Sequence, residues 1–256
     1  MIILKSKAEI ALMREAGRIV ARVLEAMHEM IRPGVTTAEL NARAEEIIRS
    51  HGAVPAFLGY PHTGRNDFPA SICASINEEL VHGIPNHNRW LEPGDIISID
   101  VGAIYRGWVG DAAWTYPVGQ VDELTRRLLE ATEGALWAGI AQAREGNRLM
   151  DISRAIEEYV TARGFSVVRE YTGHGVGRRM HEEPQILNYV PPGAGRGPRL
   201  RSGMTLAIEP MVNAGTWQTR VLADGWTVVT ADGQRSAHFE HSIAIVDGEP
   251  QILTVL

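Results

Sequence analysis

The sequence predicts a mixed α/β (α+β) fold, internally duplicated, with an antiparallel sheet and helices in separate blocks. Three observations carry this expectation. Amphipathic stretches with helix caps alternate with strand-rich stretches. The chain resembles itself at a constant offset, since 146 − 34 and 164 − 52 both give 112 for glycines that flank similar segments. Between Asp100 and Asp111, apolar and glycine residues read as two strands joined by a hairpin.

Taken in order, Ile10, Met13, Ile19, Val20, Val23 and Met27 recur at helical spacing from about residue 7 to 30, and Pro33-Gly34 ends the run. A second helix opens at Thr36-Thr37-Ala38-Glu39, a capping-box pattern, and stops near His51-Gly52. Strand-like segments follow from about 53 to 114, then a long helix over about 122–143 that Gly146 closes. Gly34, Glu39, Leu40, Glu45-Glu46 and Gly52 overlay Gly146, Asp151, Ile152, Glu157-Glu158 and Gly164. The domain expected is therefore one unit, 1–256, with halves of about 1–120 and 121–256, and a site between the halves should draw on both. The second strand-rich stretch begins near Phe165 and is broken by a Gly- and Pro-rich surface loop over 190–203.

Composition narrows the function classes. A net charge of −6 over 256 residues argues against a globally basic nucleic-acid binder, and no sequence-specific nucleic-acid partner is expected. The single cysteine, Cys73, excludes an intrachain disulfide and suits a reducing compartment. Lys5, Lys7, Glu9 and Arg14 interrupt the N-terminal apolar residues before a signal peptide could form, and no apolar run is long enough to span a membrane. A cytoplasmic location is expected by default. Arg178, Arg179, Arg196, Arg199 and Arg201 lie in or near the 190–203 loop, and a solvated basic loop or a ribosome contact both fit them.

The chemistry is concentrated in a few residues. A hairpin folded about Tyr105 and Arg106 sets Asp100 opposite Asp111, with Cβ atoms roughly 5 Å apart. Two ionised carboxylates that close repel unless a proton or cation lies between them. Gly173-His174-Gly175 places an imidazole where backbones can approach closely. Glu209 ends the apolar run Ala207-Ile208, and Glu240 heads Ile243-Ala244-Ile245, so each puts a carboxylate at the end of a buried strand. Four carboxylates carry −4 and two divalent ions +4, so the set can be buried when both ions are bound. One histidine among carboxylates suits Mn, Fe, Co or Zn.

In that order and with those neighbours, Asp100, Asp111, His174, Glu209 and Glu240 resemble the five metal ligands of the type I methionine aminopeptidases. Val81-His82-Gly83-Ile84-Pro85 and His181-Glu182-Glu183-Pro184 resemble the family's segments that carry its two active-site histidines. The resemblance covers essentially the whole chain. It implies the pseudo-symmetric pita-bread fold and two divalent metal ions holding a bridging water or hydroxide. It also implies removal of the N-terminal methionine from nascent proteins and peptides with a small second residue. By the same resemblance Glu209 also takes the water's proton, His181 stabilises the oxyanion, and His82 contacts the peptide nitrogen or leaving amine. Tyr60, Phe68, Cys73 and Trp226 form the methionine pocket with His82 and His181, and Phe57 and Met180 are weaker matches. Phe57 is expected in ordinary core packing.

The chain departs from the family pattern at 61–67, which reads as a short insertion beside the pocket, and at His238, where a glutamine is common. A monomer is expected, as in the minimal bacterial form. Two other readings stand beside this one. An X-Pro aminopeptidase or prolidase of the same fold would share all five ligands, although such relatives carry a further N-terminal domain. A non-catalytic pita-bread binding module would be expected to lose ligands, and none is lost here.

Overall fold

The computed structural model describes residues 1–256 except Thr63 and Arg65. The first half consists of α1 (Lys7–Met30), α2 (Thr37–Ser50), β1 (Val54–Pro55), β2 (Ile72–Ile76), β3 (Glu79–Val81), β4 (Ile96–Tyr105) and β5 (Trp108–Pro117). The second opens with α3 (Glu123–Gln142) and α4 (Leu149–Thr161), followed by β6 (Ser166–Val167), β7 (Gly173–Gly175), β8 (Glu182–Ile186) and β9 (Thr205–Ile208). It continues through β10 (Met211–Asn213), β11 (Thr219–Val221), β12 (Val228–Thr230), β13 (Ser236–His238), β14 (His241–Val246) and β15 (Glu249–Ile252).

Local chemistry fixes the helix starts. Ser6 caps α1, and Glu9 reaches back to accept from the Ser6 amide at 2.8 Å. Thr36 and Glu39 form the expected capping box at α2, satisfying two amides the helix cannot. Asp122 accepts from the Thr125 amide at 2.8 Å to start α3. At α4 the Asp151 carboxylate accepts from the Arg148 amide at 2.8 Å, the role Glu39 plays at the matched position 112 residues earlier (151 − 39). Gly34, Gly52, Gly146 and Gly164, the glycines of the repeat, all have positive φ, of 86°, 71°, 94° and 82°. The cap residues Thr36 and Arg148, also 112 apart, each form an isolated antiparallel bridge, to Trp90 and Arg199. The self-similarity of the sequence thus extends to backbone conformation. The 190–203 segment runs without helix or strand, and Arg196 anchors it by pairing with Asp151 at 3.0 Å.

Each half has its own core. In the first, Ile19, Val20 and Val23 of α1 and Leu40 of α2 pack with Ile99 and Val101 of β4. In the second, Leu128 and Leu136 of α3 and Ile152 and Ile156 of α4 pack with Leu206 of β9 and Ile243 of β14. Burying each such side chain contributes about 1.5–3 kcal/mol. Strands β9 and β14 pair antiparallel at the centre of a five-stranded sheet ordered β15-β14-β9-β7-β8. In the first half β4 is central, with β5 on one side and β1 and β2 on the other.

The hairpin register differs from the sequence expectation. Tyr105 pairs with Trp108, so the two turn residues are Arg106 and Gly107, with φ of 50° and 76°. Two consecutive positive φ angles make the tight turn whose twist matches that of the strands, and glycine takes its second position without strain. Asp100 consequently lies across from Ala113, and Asp111 from Gly102. The two aspartates are diagonal neighbours, still on one face because the shift is two residues.

The halves meet along a seam between β5 and the β13–β14 corner. The Glu240 amide donates to the Ala113 carbonyl at 2.8 Å, and Ser242 Oγ donates to the Asp111 carbonyl at 2.8 Å while accepting its amide at 3.2 Å. Thr115 Oγ1 donates to the His238 carbonyl and accepts the His238 amide, at 2.8 and 2.9 Å.

Helix α1 lies against this seam, and glycine permits the approach. A Cβ on Gly110 of β5 would fall 2.6 Å from the Gly17 nitrogen, and one on Gly17 would overlap the Leu253 carbonyl oxygen. Gly17→Ala is therefore expected to lower unfolding stability by about 1–3 kcal/mol. Chemical denaturation checks this, and an unchanged midpoint would show that α1 can lift away at no cost.

Candidate metal centre

Asp100 lies on β4 and Asp111 on β5, His174 is the middle residue of β7, Glu209 follows β9, and Glu240 precedes β14. The five come from both halves and line one cavity of roughly 290 Å³. Asp111, His174 and Glu240 bring donor atoms within 4.8 Å of one another, and so do Glu209, His238 and Glu240. Glu240 belongs to both groups. Asp100 lies in the same space without belonging to either triad.

Glycines on both sides of His174 let neighbouring strands close over it. A Cβ on Gly173 would fall 2.5 Å from the Ala207 carbonyl oxygen, and one on Gly175 would overlap that of Glu183. His174 Nδ1 lies 2.9 Å from the Gly175 carbonyl oxygen, which can only accept. Nδ1 therefore carries the proton, and Nε2 is left as a free donor, facing Glu209 at 3.3 Å and Asp111 at 3.7 Å. Asn188 Nδ2 holds the Glu209 carbonyl at 3.0 Å.

Burial and mutual repulsion push the carboxyls of Asp100, Asp111 and Glu240 well above the usual carboxylate range, and burial alone does so for Glu209. Burial also lowers the imidazoles. His174 is pushed down to about 4, with His181 adding to the effect, and His82 to about 4, with His238 and His181 adding. Among the described residues, Asp100 Oδ1, Asp111 Oδ1, Glu240 Oε1 and both nitrogens of His238 are buried without a hydrogen-bond partner. Orphaned carboxylate oxygens and neutral imidazoles aimed at one space are the donor set divalent cations take, so these residues fit a metal centre.

The cavity wall is apolar. Phe57, Tyr60, Phe68, Cys73, Met180 and Trp226 line it. Phe68 and Trp226 stack edge to face with centroids 5.2 Å apart. Phe57, expected in core packing, touches the core and lines the cavity as well. The Cys73 thiol is pushed well up by burial and by Asp100 and Asp111, so it stays protonated and is no nucleophile. Tyr60 does more than line the wall: its hydroxyl lies 2.7 Å from His181 Nδ1. His82 follows β3 with φ of 60°, a left-handed conformation that aims its ring into the cavity between Tyr171 and Trp226. Glu182, paired with Lys5 at 2.7 Å, accepts the Arg178 and Arg179 amides and so fixes the loop that carries Met180 and His181.

Residues 61–67 leave and rejoin between Tyr60 and Phe68, where the Gly59 and Phe68 amides donate to Phe68 and Tyr60 carbonyls at 2.8 and 2.9 Å. The base is closed, so both rings keep their place in the cavity. Part of this expected insertion, Thr63 and Arg65, lies outside the described residues. Asn66 accepts from Trp226 Nε1 at 2.9 Å, and His62 stacks on Trp226 with centroids 4.8 Å apart. Sequence reasoning did not find Tyr171 and Thr172 in the lining, though they directly precede the Gly173-His174 motif. It noted His238 without expecting it among the carboxylates.

An antiparallel duplicated fold with carboxylates and imidazoles converging between its halves defines a metallopeptidase architecture. The chain belongs to Metallopeptidase family M24, whose pattern matches residues 11–247. It is 55% identical over 254 residues to methionine aminopeptidase 1 of Bacillus subtilis, covering 99% of each chain. It superposes on the crystal structure of methionine aminopeptidase from Thermotoga maritima with a TM-score of 0.95 and 46% identity, over 100% of both. Prolidase from Pyrococcus furiosus shares the fold, with a TM-score of 0.76 and 24% identity over 99% of this chain and 66% of that one. No described helix is long and apolar enough to cross a membrane.

Because the metal-free site holds protons on its buried carboxyls, a divalent cation must displace them. Affinity for Mn²⁺ is expected to rise with pH above the ordinary carboxylate range, with net proton release in calorimetry run in buffers of differing ionisation enthalpy. Taken alone, the raised carboxyls stabilise the metal-free fold at low pH, a contribution lost as pH rises above the ordinary carboxylate range, while the lowered imidazoles act in the opposite sense. Binding that neither depends on pH nor releases protons would contradict the protonated cluster.

Proposed function

We propose that this chain is a two-metal aminopeptidase that removes the N-terminal methionine from nascent proteins and peptides with a small second residue. The observation that carries this reading is the placing of a four-carboxylate, imidazole-bearing cluster at the floor of an apolar, sulfur-tolerant cavity. The full-length likeness to methionine aminopeptidases supports the same substrate. Chain 1–256 then acts as a single catalytic domain with its site between the pseudo-symmetric halves. Acting on nascent chains would put its work in the cytoplasm, as a monomer.

Asp100, Asp111, His174, Glu209 and Glu240 would hold the two divalent ions. Bound there, the ions supply a water acidic enough to attack at neutral pH and a Lewis acid for the carbonyl and the free α-amine. Glu209 accepts the proton of that water, its raised affinity for protons in the buried site suiting it to the task. His181 donates to the developing oxyanion. Tyr60 donates to Nδ1 of that ring, which leaves the ring proton on Nε2. His82, neutral at pH 7, contacts the scissile nitrogen. Tyr60, Phe68, Cys73 and Trp226 enclose the methionine side chain, and the reading extends to Phe57 and Met180.

The chelator-stripped protein, given Mn²⁺ or Co²⁺, is expected to release methionine from Met-Ala-Ser and nothing from Ala-Pro-Ala. Cleavage confined to Ala-Pro-Ala would move the chain to the X-Pro peptidases, and no cleavage of either with any metal would leave a binding module. Asp111→Asn is expected to weaken metal binding and abolish turnover with the fold retained, whereas wild-type turnover in that variant would remove Asp111 from the ligands. Tyr60→Phe keeps the ring and removes the hydroxyl. With about 1 kcal/mol at stake in one hydrogen bond, kcat is expected to fall about 5-fold with little change in KM. A change in KM alone would make Tyr60 only a wall of the pocket.

A further inference from the structure

The five-ligand reading leaves one buried side chain of the cluster unused. His238 ends β13 with a side-chain exposure of 2%. Its backbone is clamped to Thr115 through both amide and carbonyl, at 2.9 and 2.8 Å, and Thr115 Oγ1 is in turn 2.8 Å from Ser98 Oγ. The ring is therefore held in place from the β5 side. Neither ring nitrogen makes a hydrogen bond. A buried imidazole with both nitrogens unpaired gives up its hydration without compensation.

What the ring faces supplies the reason. Its Nε2 stands 3.5 Å from Glu209 Oε2 and 3.9 Å from Glu240 Oε2, too far for good hydrogen bonds. The relation of His174 to its own two carboxylates is nearly the same, 3.3 Å to Glu209 and 3.7 Å to Asp111. Ligands about 2.1 Å from a common ion, at octahedral or tetrahedral angles, are roughly 3.0–3.4 Å from one another. Both imidazoles therefore hold their carboxylates at close to the separation an intervening cation sets, and wider than that set by a shared proton. Donor atoms of Glu209, His238 and Glu240 all lie within 4.8 Å of one another, matching the other triad of Asp111, His174 and Glu240.

We propose that His238 is a sixth metal ligand: its Nε2 binds the ion held by Glu209 and Glu240, and so brings a second imidazole to the two-metal centre. The proposal rests on the two-metal reading above and adds to it a choice of metal. Imidazole nitrogen favours Co²⁺, Ni²⁺, Fe²⁺ or Zn²⁺, whereas an all-oxygen site favours Mn²⁺ or Mg²⁺. His238 thus biases the ion it binds away from the hard cations that oxygen donors favour.

The test loads the chelator-stripped full chain with Co²⁺ and reads binding and spectra, independently of turnover. In proton NMR of the wild-type cobalt form, each coordinated imidazole contributes one hyperfine-shifted, solvent-exchangeable N–H signal. Two such signals are expected, and a single one at full loading would overturn the proposal without any variant. Equilibrium dialysis then compares wild type with His238→Gln and His238→Leu. Affinity for one of the two Co²⁺ ions is expected to fall at least about 10-fold in both, with affinity for Mn²⁺ changed about 3-fold or less in His238→Gln, and one exchangeable signal should disappear. Variants that keep both Co²⁺ affinities within about 2-fold and lose no signal would make His238 a packing residue. A wild-type stoichiometry below two ions per chain would overturn the two-metal reading, and this proposal with it.

Discussion

Charge compensation governs this molecule. Four carboxyl groups, from Asp100, Asp111, Glu209 and Glu240, share one buried space, and ionising all of them without cations would cost far more than a fold of this size can supply. Either protons or divalent ions must accompany them. Divalent cations offset these charges and give the orphaned oxygens partners, so the region most costly to bury is also the one suited to bind metal.

That constraint explains why the two halves are joined as they are. The carboxylates of the first half lie on β4 and β5, and those of the second at the ends of β9 and the start of β14. Relative sliding of the halves by one residue would turn the side chains of one set away from the other. The seam prevents it by pairing backbone and hydroxyl groups at the ligand positions themselves: Asp111 with Ser242, Ala113 with Glu240, Thr115 with His238. The close passage of α1 over Gly110, through Gly17, braces the same strand from behind. Packing at the seam is thus part of the metal site, although none of its hydrogen bonds reaches the cations.

Above the charged floor the cavity changes character. Its imidazoles are kept neutral by burial, its thiol is kept protonated, and its remaining wall is aromatic and aliphatic. Neutral nitrogens can ligate, or donate a hydrogen bond, without adding to the positive charge that the metals bring. An apolar wall beside the centre favours a thioether side chain over a charged one, and the centre itself attracts an amine and a carbonyl.

Much of this was legible in the amino-acid order. The capping residues Thr36, Glu39, Asp122 and Asp151 act locally, and the helices begin where they stand. The duplicated glycines adopt matched left-handed angles because a short motif dictates its own turn. Charge and neighbours pointed to a carboxylate-rich metal inventory, since such groups are rarely buried without a partner, and the family resemblance singled out the five. Other features depended on contacts between distant segments. The hairpin register followed from which two residues accept positive φ, which moved Asp100 from facing Asp111 to its diagonal. The pairing of Tyr60 with His181 spans 121 residues, and Phe57 reaches the cavity only because β4 carries Gly102 beneath it. His238 among the carboxylates was decided by the clamp to Thr115 across the seam. The sequence by itself determined the helices, the turns, the duplication and the inventory of donors, because each depends on local backbone chemistry or on residue type. Only the tertiary structure decided distance, facing and protonation, because those depend on which segments burial brings together and how much water it excludes.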